Sequence, residues 1–304
     1  MRISGVEIDD EYAEAFKMAG CRAVVTAVDE EWAMAAARSA TGYGASVIAC
    51  DAETGIERLL APDETPDGRP GVSMLFFGFK KDALEKAVAK RVGQCVMTCA
   101  TTACFDGLPK ATDRIVVGGG LRFFGDGFHS SKLLEGRRYW RIPTMDGEFV
   151  CEESFGTVAG VGGGNFFILA VDQTSALRAA KSAVTAIHRI EGAIMPFPGG
   201  VVRSGSKVGA KSYKNMIASI NEAYCPSLRG VGESKLPSEV NCVYEIVIDG
   251  LSLSSVREAM QVGVQAACQT GVVKISAGNY GGKLGKHLIR LHDLFDSKAA
   301  TPSA

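Results

Sequence analysis

The residue best placed to do chemistry is Glu245, in the stretch NCVYEIVIDG. The period-two alternation of a strand puts Val243, Glu245 and Val247 on one face and Tyr244, Ile246 and Ile248 on the other, so the carboxyl is bracketed by valines. Taking a carboxylate out of water disfavours its charged form and raises its pKa. A glutamic acid held in that way can give or take a proton at neutral pH. The same pattern also describes a glutamate on the solvated face of an edge strand, and alternation alone does not separate the two.

Two loops hold the other chemistry-bearing residues. PFPGGVVRSGSKVGAKSYKN, residues 196–215, concentrates Arg203, Lys207, Lys211 and Lys214 among glycines and serines, Ser206 included. SAGNYGGKLGKHLIR, residues 276–290, supplies Asn279, Tyr280, Gly281, Gly282, Lys283, Lys286 and Arg290. Backbone N–H groups freed by Gly205 and Gly209, with cationic side chains beside them, suit a carboxylate or a phosphate. The competing reading is a pair of solvated, flexible turns. Neither loop has the Gly-x4-Gly-Lys-Ser/Thr spacing of a nucleotide phosphate loop, and G-x-G-x-x-G, G-x-S-x-G and H-E-x-x-H do not occur. FFGDGF, residues 123–128, sets Phe124 and Asp126 among aromatics and glycines, either as a platform for a ring-shaped ligand or as an ordinary turn.

The remaining reactive side chains point to structure. Nine cysteines in a long chain with no apolar leader read as reduced thiols, and the odd number argues against a disulfide framework. Cys95, Cys99 and Cys104 in QCVMTCATTAC match neither a zinc pair nor an iron–sulfur run, and the segment reads as an apolar strand, so no metal is expected. His287 and His292 are spaced too far apart to share one helix face well.

The elements that must position Glu245 and the two loops form a repeating pattern. Residues 22–54 read as strand (AVVTAV), helix seeded by Asp29, and strand (SVIAC). Residues 71–107 repeat this as VSMLFFGF, KKDALEKAVAKRVG and QCVMTCATTACF, and residues 165–199 as FFILAVD, QTSALRAAKSAVTAIHRI and AIMPF. The stretch 241–286, with its Asp-Gly break and amphipathic helix, is the fourth round. Four such units in two pairs predict an α/β (α+β) chain of two ferredoxin-like βαββαβ lobes, with helices on one face of each antiparallel sheet. Residues 108–164 lack helical period and read as a β-rich connection of short strands and turns, and residues 226–241 as a surface loop. The expected divisions are 1–150, 151–295 and a disordered tail, 296–304.

The formal net charge of −1 argues against a nucleic-acid partner. No apolar run approaches the ~18 residues of a membrane span, so a soluble cytoplasmic protein is expected.

Taken together, TGYGASVIACDAETGIE, TPDGRPG, GQCVMTCATTACFD, FFGDGF, GGGNFFILA, EGAIMPFPGGVVRSGSKVG, VYEIVIDG and SAGNYGGKLGK resemble the formylmethanofuran:tetrahydromethanopterin formyltransferases, from the N-terminus to about Phe295. The resemblance implies two ferredoxin-like lobes, a homotetramer with its active site where subunits meet, and no metal or bound prosthetic group. It implies tetrahydromethanopterin and methanofuran as the small-molecule substrates, and Glu245 as the catalytic residue. The low charge density and many alanines look unlike a hyperthermophile's protein. They fit the similar enzyme of methylotrophic bacteria, which works with hydrolase subunits in a formyltransferase/hydrolase complex. Arg203, Ser206, Lys207, Asn279, Tyr280, Gly281, Gly282, Lys283, Phe124 and Asp126 are then the candidate substrate contacts. The rival reading is a non-enzymatic regulatory module, in which the same loops would hold an acidic effector.

Overall fold

The computed structural model describes residues 1–296, so the expected tail lies, apart from Asp296, outside the described residues. The chain divides into two compact units, one formed by Met18–Gly160 and the other by Met1–Lys17 with everything from Val161 onward.

In the first unit the βαββαβ order is complete. The strand Tyr12–Thr26, from Met18 on, is followed by the helix Glu30–Thr41, the strands Glu53–Leu60 and Gly71–Gly78, the helix Lys81–Arg91 and the strand Ala103–Asp106. Antiparallel pairing sets these strands side by side in the order second, third, first, fourth, the ferredoxin-like arrangement. The first helix starts where Asp29 accepts a hydrogen bond from Trp32 N at 3.0 Å. It buries Ala33, Ala36, Ala37 and Ala40, one stripe at helical spacing.

Three local expectations are corrected here. SVIAC is a turn, with Val47 N donating to Glu53 Oε1 at 3.0 Å, and the strand starts only at Glu53. QCVMTC is the end of a helix, running on as a π-helical turn over Val92–Val96, and the strand begins at Ala103. Short apolar runs carry no period, so burial of Val92 and Val96 serves a helix end as well as a strand. In the β-rich connection, GGGLRFFG is a short helix, Gly118–Leu121, and a 3-10 turn, Arg122–Gly125. A Cβ on Gly118 would stand 2.4 Å from Glu152 O, so glycine is there for close approach. The strands Asp113–Val116, Ser130–Leu134, Arg137–Thr144 and Gly147–Glu152 follow the expectation.

The second unit repeats the order: the strand Ser154–Ala170 from Val161 on, the helix Gln173–Ile187, the two-residue strand Ala193–Ile194, the strand Cys242–Gly250, the helix Leu253–Ala267 and the strand Val272–Ser276. Its strands again lie second, third, first, fourth. The N-terminal strand Val6–Ile8 adds in parallel to Val272–Ser276, and Tyr12 to Ala15 pair with His287–Arg290. The first seventeen residues therefore fold with the C-terminal unit. The division expected near residue 150 follows chain order, whereas the grouping by compactness joins residues 1–17 to those from 161 onward.

Both helices cover one face of this second sheet, over Phe166, Ile168, Ile246, Ile248 and Ile275, all fully buried. A Cβ on Gly263 would stand 2.7 Å from Ile187 Cδ1, so the helices approach closely only because the residue is glycine. Among the described residues no helix is long and apolar enough to cross a membrane.

Candidate active site

The other face of that sheet carries the acid. Phe167 lies directly opposite Glu245 on one neighbouring strand and opposite Ser276 on the other, so the three side chains share a face, with Asn165 opposite Val247 beside them. The alternation read from sequence is the observed one. The long connection between Ile194 and Cys242 folds across this face. Val202 exchanges both backbone hydrogen bonds with Glu245, at 2.8 and 3.0 Å. Leu236 and Val240 pack on Phe167 and Leu169, and the Tyr224 ring lies 4.6 Å from the Phe167 ring.

Glu245 is consequently half-buried, and desolvation pushes its carboxyl up from the ordinary value of 4.5 to about 7. Burial is the only cause of that shift. A glutamic acid poised there is half protonated near neutrality, which suits proton donation and recovery in one cycle.

Both glycine-rich loops flank this row, but their cations are not equivalent. Lys207 is ion-paired to Glu222, which also takes Lys211 Nζ at 2.7 Å. The Lys207 bond first, then that of Lys211, holds the Glu222 carboxyl down to about 2. Gly209 N is taken by Ile217 O at 2.7 Å, which removes one backbone donor the sequence had offered to a ligand. Arg203 and Ser206 are exposed, and Arg203 makes no ion pair among the described residues.

The second loop begins against Phe167. A Cβ on Gly278 would stand 2.9 Å from Phe167 Cζ, and Asn165 brackets the same residue, accepting from Gly278 N at 2.6 Å and donating to Gly278 O at 3.1 Å. Beyond it the backbone winds around Glu14. Oε2 accepts from Tyr280 N at 2.7 Å and Gly282 N at 2.8 Å, and Oε1 from Leu284 N at 2.5 Å and Gly285 N at 2.6 Å. Burial raises the Glu14 pKa, and the four N–H groups more than offset it, so the carboxyl is held below its ordinary value. Gly281 and Gly282 both have φ +71°, the left-handed backbone that turns successive N–H groups inward. The sequence reading took this loop as a site for an external anion, whereas four of its amides already bind Glu14. Asn279 is also engaged, donating to Glu11 Oε2 at 3.0 Å and accepting from Gly281 N at 3.1 Å. Lys283 and Lys286 remain exposed and make no ion pair among the described residues.

Phe124 and Asp126 belong to the other unit, away in sequence from this row. Phe124 is 70% exposed, and Asp126 closes the 3-10 turn in the left-handed region at φ +48°. Cys104 is buried beside Cys151 on the adjacent strand, while Cys95 and Cys99 are half-buried. Among the described residues no group of three or more His, Cys, Asp or Glu is placed to hold a metal ion. His292 is bonded to Ile8 O at 2.9 Å. A concavity of about 730 Å³ along the helix Gln173–Ile187 contains none of the candidate residues.

Sequence reasoning missed Glu14, Asn165, Phe167, Glu222 and Tyr224. Glu14 was open to the argument used for Glu245, because in EYAEAF it shares a strand face with Tyr12 and Phe16.

The comparisons with known proteins agree with this architecture. A family model described as formylmethanofuran-tetrahydromethanopterin formyltransferase matches residues 1–144, and one described as the FTR proximal lobe matches residues 147–294. A curated relative from Methylobacillus flagellatus, named formylmethanofuran--tetrahydromethanopterin formyltransferase, is 54% identical over 97% of this chain and 99% of its own length. The solved enzyme of that name from Methanosarcina barkeri superposes with a TM-score of 0.93 at 52% identity, covering 97% of this chain and all of its own. A chain from the formyltransferase/hydrolase complex of Methylorubrum extorquens, solved with methylofuran, superposes with a TM-score of 0.94 at 50% identity over 97% of this chain and 99% of its own. With half its residues shared along essentially its whole length, this chain belongs to the formylmethanofuran-tetrahydromethanopterin formyltransferase family.

Proposed function

We propose that the chain transfers a formyl group between methanofuran and tetrahydromethanopterin, with Glu245 as the catalytic acid. The observation that carries this reading is a half-buried carboxyl with a pKa of about 7 between two loops rich in glycine and lysine. An uncharged amine of the acceptor attacks the formyl carbon, and the carbonyl oxygen becomes negative in a tetrahedral intermediate. Protonated Glu245 donates a hydrogen bond or a proton to that oxygen. Collapse breaks the bond from the formyl carbon to the donor nitrogen, and the proton lost by the attacking nitrogen is returned to the leaving one through the carboxyl. No step requires a cysteine nucleophile, so both substrates are bound together and the kinetics are sequential.

Arg203 and Lys283 are the exposed cations that meet the acidic tails of the substrates. Lys207, tied to Glu222, acts by shaping its loop, and Ser206, Asn279, Tyr280, Gly281 and Gly282 line the approach. Phe124 and Asp126, on the other unit, are proposed as contacts to a ring-shaped ligand. Nine free cysteines support a reducing compartment, taken here to be the cytoplasm. We further propose a homotetramer as the working assembly, with hydrolase subunits joined to it as in the Methylorubrum complex. The high identity to named formyltransferases favours the enzyme over the regulatory module. Initial rates with the formylated pterin and methanofuran, each varied against the other, test the reading. Intersecting sequential patterns are expected, and absence of turnover or a ping-pong pattern contradicts it.

A further inference from the structure

The loop after Ser276 has the make-up of an external anion site, yet its inward amides are occupied from within the same chain. Four backbone donors, from Tyr280, Gly282, Leu284 and Gly285, converge on one carboxylate that is 1% exposed and arises from a strand more than 260 residues earlier. The fit is close on the loop side too, because a Cβ on Gly285 would stand 2.6 Å from Ala15 O and 2.7 Å from Glu14 Cγ. The Phe16 and Tyr280 rings meet at 6.0 Å beside it, and Asn165 fixes the start of the loop at Gly278. Gly281 N and Lys283 N are not among the groups that bind Glu14, and Gly281 N is satisfied by Asn279 Oδ1 at 3.1 Å.

We propose that Glu14 is a positioning residue: an internal anion around which residues 278–286 are wound, so that Lys283 and Lys286 point outward as the loop's grip on the acidic substrates. This rests on the formyltransferase reading for its kinetic consequence and not for its structural one. Substrate carboxylates are then recognised by side-chain cations, and the inward backbone nest takes no part in binding them. Without the Glu14 carboxylate the four donors lose a shared acceptor, the glycines no longer have a reason to turn inward, and the lysines lose their fixed origin.

The test compares the full-length parent with Glu14→Ala and Glu14→Gln. In the Ala variant the missing atoms correspond to acetate, so sodium acetate is added against sodium chloride at equal ionic strength. Two readouts are taken: initial-rate kinetics and residue-resolved hydrogen exchange. In the parent, the amides of Tyr280, Gly282, Leu284 and Gly285 should be protected beyond those of Lys283 and Lys286. In Glu14→Ala they should exchange roughly ten- to a hundredfold faster, the loss of a hydrogen bond to a charged acceptor. KM for at least one substrate should rise by about tenfold or more, with kcat changed much less. Acetate should reverse both effects, and chloride should not. A merely structural role would lower stability without this KM-selective rescue.

Glu14→Gln keeps the volume but brings a donor to face donors, so it should behave as Glu14→Ala and gain nothing from acetate. Parental KM values and parental protection in Glu14→Gln overturn the proposal, as does a Glu14→Ala variant indifferent to acetate. If neither variant folds, equal exchange of all the loop amides in the parent overturns it. A parent that transfers no formyl group defeats the functional reading alone, because the exchange measurements still decide the role of Glu14.

Discussion

Phe167 faces Glu245 directly across two antiparallel strands, and the Tyr224 ring closes on that phenylalanine at 4.6 Å. The relationship explains how a carboxyl on the helix-free face of a sheet is nonetheless taken out of water. One flank is aromatic, the other is the backbone of Val202, and neither brings a cation to stabilise the charged form.

Glu245→Gln keeps the shape and a hydrogen-bond donor but cannot exchange a proton. A loss in kcat on the order of 10²–10³ is expected, with KM for both substrates little changed. Steady-state kinetics check this, and a variant at the parental rate would remove Glu245 from the chemistry.

The raised pKa also carries a stability consequence with a definite sign. Below about 4.5 the folded and unfolded carboxyls are both protonated and Glu245 contributes nothing. Between there and about 7 the unfolded chain ionises while the folded one keeps its proton, so stability falls as pH rises and levels off above the folded pKa. The full cost is up to about 3 kcal/mol, less to the extent that solvent reaches the half-buried group. Denaturant melts at pH 5 to 8 should therefore show Glu245→Gln gaining on the parent as pH increases.

Arg203→Ala and Lys283→Ala are each expected to raise KM about two- to fivefold, with an effect that shrinks as salt is added. Lys207→Ala should differ. It leaves Glu222 with Lys211 alone, so its effect should include loosening of residues 205–222, read as faster proteolysis there. A salt-independent fall in kcat for Arg203→Ala would contradict its role.

Gly278→Ala places a methyl 2.9 Å from Phe167 Cζ, and the ring must move. We expect a loss of about 1–3 kcal/mol in stability from overpacking. Displacing the ring should admit water to Glu245, so the midpoint of its ionisation, read from the pH dependence of kcat/KM, should fall towards the ordinary carboxyl value.

These residues also mark how far the sequence could be read. The two βαββαβ rounds and the face of Glu245 were legible because strand alternation and helix spacing are local, as in Val243, Glu245 and Val247 or Ala33, Ala36 and Ala37. The glycine- and lysine-rich loops were legible as unusual composition. The state of their donors was not, because Glu14 and Glu222 reach them through tertiary pairing that no local pattern encodes. SVIAC and QCVMTC misled because an apolar run of that length fits a strand, a turn or a helix end equally well. GGGL misled because glycine speaks against a helix, while here its missing side chain is what lets the turn lie against Glu152.

The most direct measurement is the titration of the Glu245 carboxyl itself, by ¹³C NMR of protein labelled at glutamate carboxyls, with Glu245→Gln identifying the resonance. The account predicts a single midpoint near 7 in the free enzyme. A midpoint near the ordinary value of 4.5, with the carboxylate fully ionised at neutral pH, would contradict it.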